Sequence, residues 1–130
     1  MLAKPFDQIN ADDVRDLCAR SAYETQLLEF KQELPAQRGR PDPWITGGDF
    51  TPYARDRLFR EAVAFANAQG GVLVLGIEET KDKPPRAAAI RPLPRIHDLA
   101  TRMEDAARAC IDPVPGLLIR GIEVGAIGKA

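Results

Sequence analysis

The sequence predicts a single α/β domain built of two or three layers. Helical and strand-like patterns alternate along the chain in the order α, β, α, β, α, β, which is typical of a layered α/β fold. A length of 130 residues, of which 45% are apolar, fits one hydrophobic core. No internal repeat is visible, so a repeat architecture is not indicated.

The first helix is predicted from its N-terminal residues. Asn10 can cap it, and Asp12 and Asp13 lie in its first turn, where the helix dipole favours acidic side chains. Ile9 can pack onto Val14 and so fix the entry of the chain. We therefore expect a helix that starts after Asn10 and buries one apolar stripe.

A short strand comes next. Residues 27–31 alternate with period two, which sends Leu28 and Phe30 to one face and Glu29 and Lys31 to the other.

The following segment, residues 35–53, contains four prolines and three glycines, a composition that breaks regular structure. We expect a long loop, held to the body by Trp44, Ile45 and Phe50. A lid over a site is an alternative role for it.

The second half of the chain predicts two more helices and two more strands. A helix runs from about residue 54 to Gly70, and residues 72–75 suit a central strand that is covered on both faces. Gly76 then admits a close backbone neighbour. After a Pro-rich basic segment, an amphipathic helix starts near Pro94, and residues 117–124 suggest a last strand.

Composition narrows the class of protein. No apolar run approaches the roughly 20 residues of a membrane span, and the first residues do not resemble a secretion signal, so we expect a cytoplasmic protein without membrane contact. Cys18 and Cys110 lie far apart in sequence and outside any metal-binding spacing, which favours two small buried side chains. The net charge of −1 restricts any nucleic-acid surface to a local patch.

Two glycines raise the question of nucleotide binding. A phosphate loop needs a strand, then glycines, then a helix N-terminus, whereas Gly70 and Gly71 follow a helix. The order favours a helix C-cap, and an ATP-binding module is only an alternative function.

Acidic residues near two predicted strands suggest a metal-dependent site. Glu29 and Lys31 share a strand face, and Glu78 and Glu79 end the neighbouring strand. Carboxylates are ligands that Mg²⁺ prefers, and a lysine can stabilise charge on a phosphodiester. A solvated ion pair on the sheet face is the alternative interpretation.

Taken together, two blocks of the sequence resemble the Schlafen AlbA_2 domain family. They are Glu24-Thr-Gln-Leu-Leu-Glu-Phe-Lys31 and Ala64-Phe-Ala-Asn-Ala-Gln-Gly-Gly-Val-Leu-Val-Leu-Gly-Ile-Glu-Glu79, and the resemblance spans about residues 11–124. It implies an Alba-like fold with a mixed sheet and packed helices. Family members are usually labelled bacterial DNA-binding transcriptional regulators or divergent ATP-binding proteins. Because members often continue beyond the last strand, we expect that the chain is the N-terminal part of a larger protein.

The resemblance also implies roles for individual residues. In one branch of the family, three carboxylates support a metal-dependent endonuclease; their motif positions fall on Glu24, Glu29 and the pair Glu78 and Glu79. Family members commonly have Asp in that pair, and the longer Glu side chain would shift a ligand by about one bond. We therefore expect Mg²⁺ or Mn²⁺, if any metal, on Glu24, Glu29, Glu78 and Glu79, and catalysis through Glu24, Glu29, Glu79 and Lys31.

Our preferred function is a nucleic-acid binding domain, with DNA or RNA as partner and a metal-dependent endonuclease as the alternative. The predicted phosphate contacts are Arg55, Arg57, Arg60, Lys81, Lys83, Arg86 and Arg91. A homodimer and additional C-terminal domains stay open as partners.

Overall fold

The computed structural model describes residues 5–25, 28–37, 39–67, 71–109 and 117–123. Within these ranges the chain has a mixed α/β fold, as predicted. The α-helices are α1 (Ala11–Ala19), α2 (Pro52–Asn67) and α3 (Ile96–Arg108), the strands are β1 (Leu28–Lys31), β2 (Val72–Leu75), β3 (Ile77–Glu79) and β4 (Ala87–Ile90), and short 3₁₀ helices cover Phe6–Gln8 and Pro43–Thr46. Within these described ranges, no helix has the length and apolarity that a membrane crossing requires.

The start of α1 confirms its predicted cap. The side chain of Asn10 accepts a hydrogen bond from the Asp13 backbone N–H at 3.1 Å, and the Asp13 carboxylate accepts one from the Asn10 N–H at 2.9 Å. Both exposed N–H groups are thereby satisfied. Leu17, one helical turn after Val14, is fully buried, while Cys18 is a half-buried free thiol whose pKa burial raises.

Strands β1 and β2 form a parallel pair, with Leu28 opposite Val72 and Lys31 opposite Leu75. The predicted alternation along β1 is confirmed, because Leu28 and Phe30 are buried and the two charged residues between and after them are half-buried. Both faces of β2 pack against apolar clusters, as predicted. The predicted central position is wrong for the described ranges, where β2 has one hydrogen-bonded neighbour, β1.

Gly76 joins the two small sheets. Its N–H donates to Lys31 O and its carbonyl accepts from the Arg91 N–H, both at 2.6 Å. A Cβ atom at this position would lie 3.1 Å from Arg91 O, and the backbone φ is +94°. Glycine is required here for both reasons, so the predicted close backbone approach is confirmed.

The prediction missed the antiparallel hairpin formed by β3 and β4. Ile77 lies opposite Ile90, and a bulge falls between Glu78 and Glu79. The predicted Pro-rich basic segment corresponds to the connection between the two strands, and three of the four β4 residues are alanines, which have low strand propensity. Pairing with β3 and burial of Ala87 determine the conformation instead.

The predicted last strand is wrong for the residues that can be described. Residues 117–123 form neither helix nor strand, and Val124 lies outside the described ranges, as do Gly70 and Cys110. Arg120 donates hydrogen bonds to Phe6 O at 2.6 Å and Ile9 O at 2.7 Å. This segment is therefore held by a side chain to the N-terminal region rather than by a strand ladder.

The loop over residues 35–53 is pinned as predicted. Trp44 is fully buried and its indole N–H donates to Pro94 O at 2.8 Å. Ile45 and Phe50 pack against the same apolar cluster, which also includes Leu58 of α2 and Leu99 of α3. The loop thus fastens α2 to the start of α3.

Candidate functional site

Four glutamates surround one lysine where β1, α2 and β3 meet. Glu29 and Lys31 lie on the less buried face of β1, Glu24 precedes that strand, Glu61 belongs to α2, and Glu79 ends β3. We call these five residues the carboxylate cluster. Their pairwise interactions connect all five side chains.

Lys31 and Glu61 form the direct ion pair of the cluster. Lys31 Nζ lies 3.0 Å from Glu61 Oε1, and the two side chains are 27% and 28% exposed. A pair at this depth is less screened than a surface pair, so it fixes the ammonium group among the carboxylates.

Glu29 is an acid held in an unfavourable surrounding for its charge. Burial raises its pKa, the negative charge of Glu61 raises it further, and Lys31 lowers it only in part. Glu61 Oε2 is buried and has no hydrogen-bond partner among the described residues. When Glu29 is protonated, its carboxyl group can donate a hydrogen bond to the carboxylate of Glu61. This hydrogen bond also raises the pKa of Glu29.

Glu24 and Glu79 form the second carboxylate pair. Desolvation raises the pKa of Glu79, although much of that residue is exposed, and the charge of Glu24 and a hydrogen bond to it raise the pKa further. Glu24 Oε2 also accepts the Phe30 N–H at 2.9 Å. This backbone contact orients the Glu24 carboxylate beside β1.

Glu78 does not join the cluster. Arg91 Nε lies 3.0 Å from Glu78 Oε1, across the β3–β4 hairpin. Of the two acids that follow Gly76, Glu79 is therefore the one beside Glu24.

Glu61 is a member of the site that the sequence analysis did not single out. In the sequence, Glu61 is an acid close to three arginines on one predicted helix. Such a mixture of charges usually indicates a solvated helix face. The contact with Lys31 depends on how α2 packs against β1, and no local pattern shows that.

The predicted metal site can be compared with the grouping of side chains that bind metals. Nowhere in the described ranges are three His, Cys, Asp or Glu residues grouped so that they could hold a metal. Within the cluster, Glu24 raises the pKa of Glu79 and Glu61 raises that of Glu29, and the charge of Glu24 also raises the pKa of Glu29. The metal site predicted on Glu24, Glu29, Glu78 and Glu79 stays a prediction.

The seven predicted phosphate contacts divide into paired and unpaired cations. Three have acidic partners: Arg55 with Asp56 at 2.9 Å, Arg86 with Asp82 at 3.4 Å, and Arg91 with Glu78. The other four are exposed and form no ion pair within the described part of the chain; they are Arg57, Arg60, Lys81 and Lys83.

These cations lie in two places. Arg57 and Arg60 form the helix patch, on the turn of α2 that precedes Glu61. Lys81, Lys83 and Arg86 form the hairpin patch, at the connection between β3 and β4. Each patch has an arginine over a tyrosine ring: Arg57 lies 5.5 Å from the centroid of Tyr53, and Arg86 lies 4.8 Å from that of Tyr23.

The glycine after α2 has a packing role. A Cβ atom on Gly71 would lie 2.5 Å from Cδ1 of Phe65, so only glycine allows the ring to pack this closely. Gly70, the predicted helix cap, lies outside the described residues.

Comparison with family models matches residues 24–124 to the family described as Schlafen, AlbA_2. No curated protein and no solved structure matches the chain. The matched segment begins at Glu24 and includes every member of the carboxylate cluster and of both basic patches. Since the match covers well over half of its length, the chain belongs to the Schlafen AlbA_2 family.

Proposed function

We propose that this domain binds nucleic acid through the helix patch and the hairpin patch. The observation that carries the proposal is the presence of four exposed cations, Arg57, Arg60, Lys81 and Lys83, with no acidic partner in the described ranges. An unpaired ammonium or guanidinium group can contact a phosphate without first breaking an ion pair.

Family membership supports a nucleic-acid-related or ATPase-like domain. Between these two, the basic patches favour nucleic acid, because its repeated phosphates offer several contacts to exposed cations. The net charge of −1 restricts such contacts to these patches. DNA bound by a transcriptional regulator is the finer form of this proposal, and it rests on the family resemblance.

The test is the salt dependence of binding. Fluorescence anisotropy with labelled DNA and RNA oligonucleotides should give an affinity that falls steeply as salt rises, because phosphate contacts release counterions. Arg57→Ala combined with Arg60→Ala should weaken binding and reduce the salt slope by about two. Lys81→Ala combined with Lys83→Ala should do the same.

Arg108→Ala is the matched control, because Arg108 is an exposed arginine of α3 that pairs with Glu104 and Asp105. Its salt slope should equal that of the wild type. Arg91 pairs more closely with Glu78, at 3.0 Å, than Arg86 does with Asp82, at 3.4 Å, so charge reversal of Arg91 should weaken binding less than that of Arg86. Absence of binding to both DNA and RNA at low salt would contradict the proposal.

A metal-dependent endonuclease is the second candidate, and the raised pKa values of Glu29 and Glu79 favour it. Carboxyl groups with perturbed pKa values occur preferentially at functional sites. Wild type and Glu29→Gln should be compared on structured RNA and single-stranded DNA with Mg²⁺ and with Mn²⁺. We expect weak cleavage or none; strong cleavage that is lost in the variant would replace the binding domain by the nuclease as the preferred function.

A further inference from the structure

Tyr23 is an aromatic ring exposed to solvent beside the hairpin patch. It is 48% exposed, one of three large hydrophobic side chains with high exposure in the described ranges. The guanidinium carbon of Arg86 lies 4.8 Å from the ring centroid. An exposed ring in contact with an arginine offers a flat surface and a positive charge at one place.

The backbone fixes both residues. Tyr23 and Arg86 lie opposite each other in an isolated antiparallel bridge. The Ala87 N–H donates to Ala22 O at 2.7 Å, and the Glu24 N–H donates to Pro85 O at 2.8 Å. The Arg86 N–H donates to Thr80 Oγ1 at 3.1 Å. A surface held on both sides in this way costs little ordering when a ligand binds.

The guanidinium group of Arg86 is only loosely paired. Its Nε lies 3.4 Å from Asp82 Oδ2, and this nitrogen has no hydrogen-bond acceptor within the described residues. Arg95 offers a contrast, because it lies 3.8 Å from the ring of buried Trp44 and donates to two backbone carbonyls. The Trp44 contact belongs to the core, whereas the Tyr23 contact lies at the surface, where the ring is exposed although Arg86 Nε itself is buried.

Unpaired cations accompany the ring. Lys81 and Lys83 are exposed in the same connection between β3 and β4. A base that stacks on an aromatic or guanidinium plane has its own phosphates within a few ångströms, so stacking and phosphate contacts reinforce each other.

We propose that Tyr23 and Arg86 form a stacking platform for an unpaired base, so that the domain prefers single-stranded nucleic acid; this rests on the nucleic-acid binding proposed above. Bases within a duplex are stacked on their neighbours and paired, and their faces are closed to such a platform. Lys81 and Lys83 contact the phosphates next to the stacked base.

The experiment compares a labelled single strand, the matched duplex and an abasic single strand by fluorescence anisotropy at one salt concentration. Wild type binds the single strand more tightly than the duplex. Tyr23→Ala loses about tenfold for the single strand and little for the duplex. Tyr23→Phe keeps the ring and therefore the affinity, whereas Tyr23→Leu loses as much affinity as Tyr23→Ala. The abasic strand lacks the base that stacks. Wild type therefore binds it as weakly as Tyr23→Ala binds the normal single strand.

Leu118→Ala is the control, because Leu118 is 65% exposed and lies outside both basic patches. It leaves all three affinities unchanged, and circular dichroism verifies that every variant is folded. Equal affinities of wild type for single strand and duplex overturn the platform while nucleic-acid binding stands. An equal loss of affinity for the single strand and for the duplex in Tyr23→Ala also overturns the platform. Absence of binding to any of the three overturns the proposed function and the platform together.

Discussion

Two regions of this molecule contain partly or fully buried acids, and the regions differ in what surrounds the carboxyl groups. Asp42 is 2% exposed and its carboxylate accepts three hydrogen bonds, from the Trp44 N–H, the Thr51 N–H and the Thr51 hydroxyl, at 2.9 to 3.2 Å. The carboxylate cluster is more exposed, but its acids face one another, and Lys31 is the cation among them.

The difference separates a structural acid from candidate functional acids. Three donors replace the water that Asp42 loses on burial, so its carboxylate is satisfied inside the fold. In the cluster, burial and mutual repulsion raise the pKa values of Glu29 and Glu79, so the fold tolerates these charges rather than gaining from them. Carboxyl groups with such raised pKa values occur preferentially at functional sites.

The two regions are connected. Thr51 Oγ1, held by Asp42, accepts the Ala54 N–H at 3.1 Å in the first turn of α2. Seven residues after Ala54, the same helix supplies Glu61 to the cluster. Asp42 therefore helps to fix the helix from which Glu61 reaches Lys31.

The largest expected effect comes from removing the structural acid. Asp42→Ala leaves three donors without an acceptor, and we expect the free energy of unfolding to fall by about 2–4 kcal/mol. Urea denaturation followed by the fluorescence of Trp44, the single tryptophan, measures it.

Asp49→Ala is the control for this prediction, since Asp49 lies on the same loop and forms an exposed ion pair with Arg102 at 3.1 Å. It should cost less than about 1 kcal/mol. If both variants lose equal stability, the assignment of Asp42 as a structural acid is wrong.

The sequence predicts the local parts of both regions but not their long-range contacts. Period-two alternation placed Glu29 and Lys31 on one face of β1, and the apolar side chain of Trp44 predicted that the loop is pinned. Glu61 and Asp42 were missed because their roles depend on partners brought by the fold: Glu61 meets Lys31, thirty positions away, and Asp42 meets Thr51, nine positions away. In sequence, each is only an acid on a helix or in a loop.

A second prediction removes the central cation of the cluster. Lys31→Gln leaves Glu61 without its partner, and we expect a loss of about 1–2 kcal/mol at pH 7, between the values for exposed and buried pairs. The pKa of Glu29, measured by NMR, should rise further because Lys31 lowers it in the wild type.

Arg91→Gln is the matched control for Lys31, because it breaks the more exposed pair with Glu78. It should cost less than about 1 kcal/mol and leave the pKa of Glu29 unchanged. An unchanged pKa of Glu29 in Lys31→Gln would contradict the cluster.

A third prediction is a gain in stability rather than a loss. Glu79→Gln removes one of two repelling charges, so stability at pH 7 should rise, by less than about 1 kcal/mol because much of Glu79 is exposed. Glu78→Gln is the control on the neighbouring position; it loses the ion pair with Arg91, so stability should fall slightly. Thermal unfolding of both variants beside the wild type decides the sign, and a fall in both would place Glu79 with the structural acids.

The smallest effect is the pH dependence of that gain. A carboxyl group whose folded pKa is raised binds more protons in the folded than in the unfolded state at pH values above its ordinary pKa of 4.5. Its contribution to stability is therefore present below pH 4.5 and is lost as pH rises through the folded pKa.

The double variant Glu29→Gln, Glu79→Gln should have the same free energy of unfolding as the wild type below pH 4.5 and a larger one at pH 7. Urea denaturation in steps from pH 4 to pH 7 measures this difference, and Glu33→Gln, which changes an exposed acid just after β1, is the matched control for the loss of a surface carboxylate. A difference that grows as pH falls would mean that the native state favours these charges, and the contrast with Asp42 would disappear.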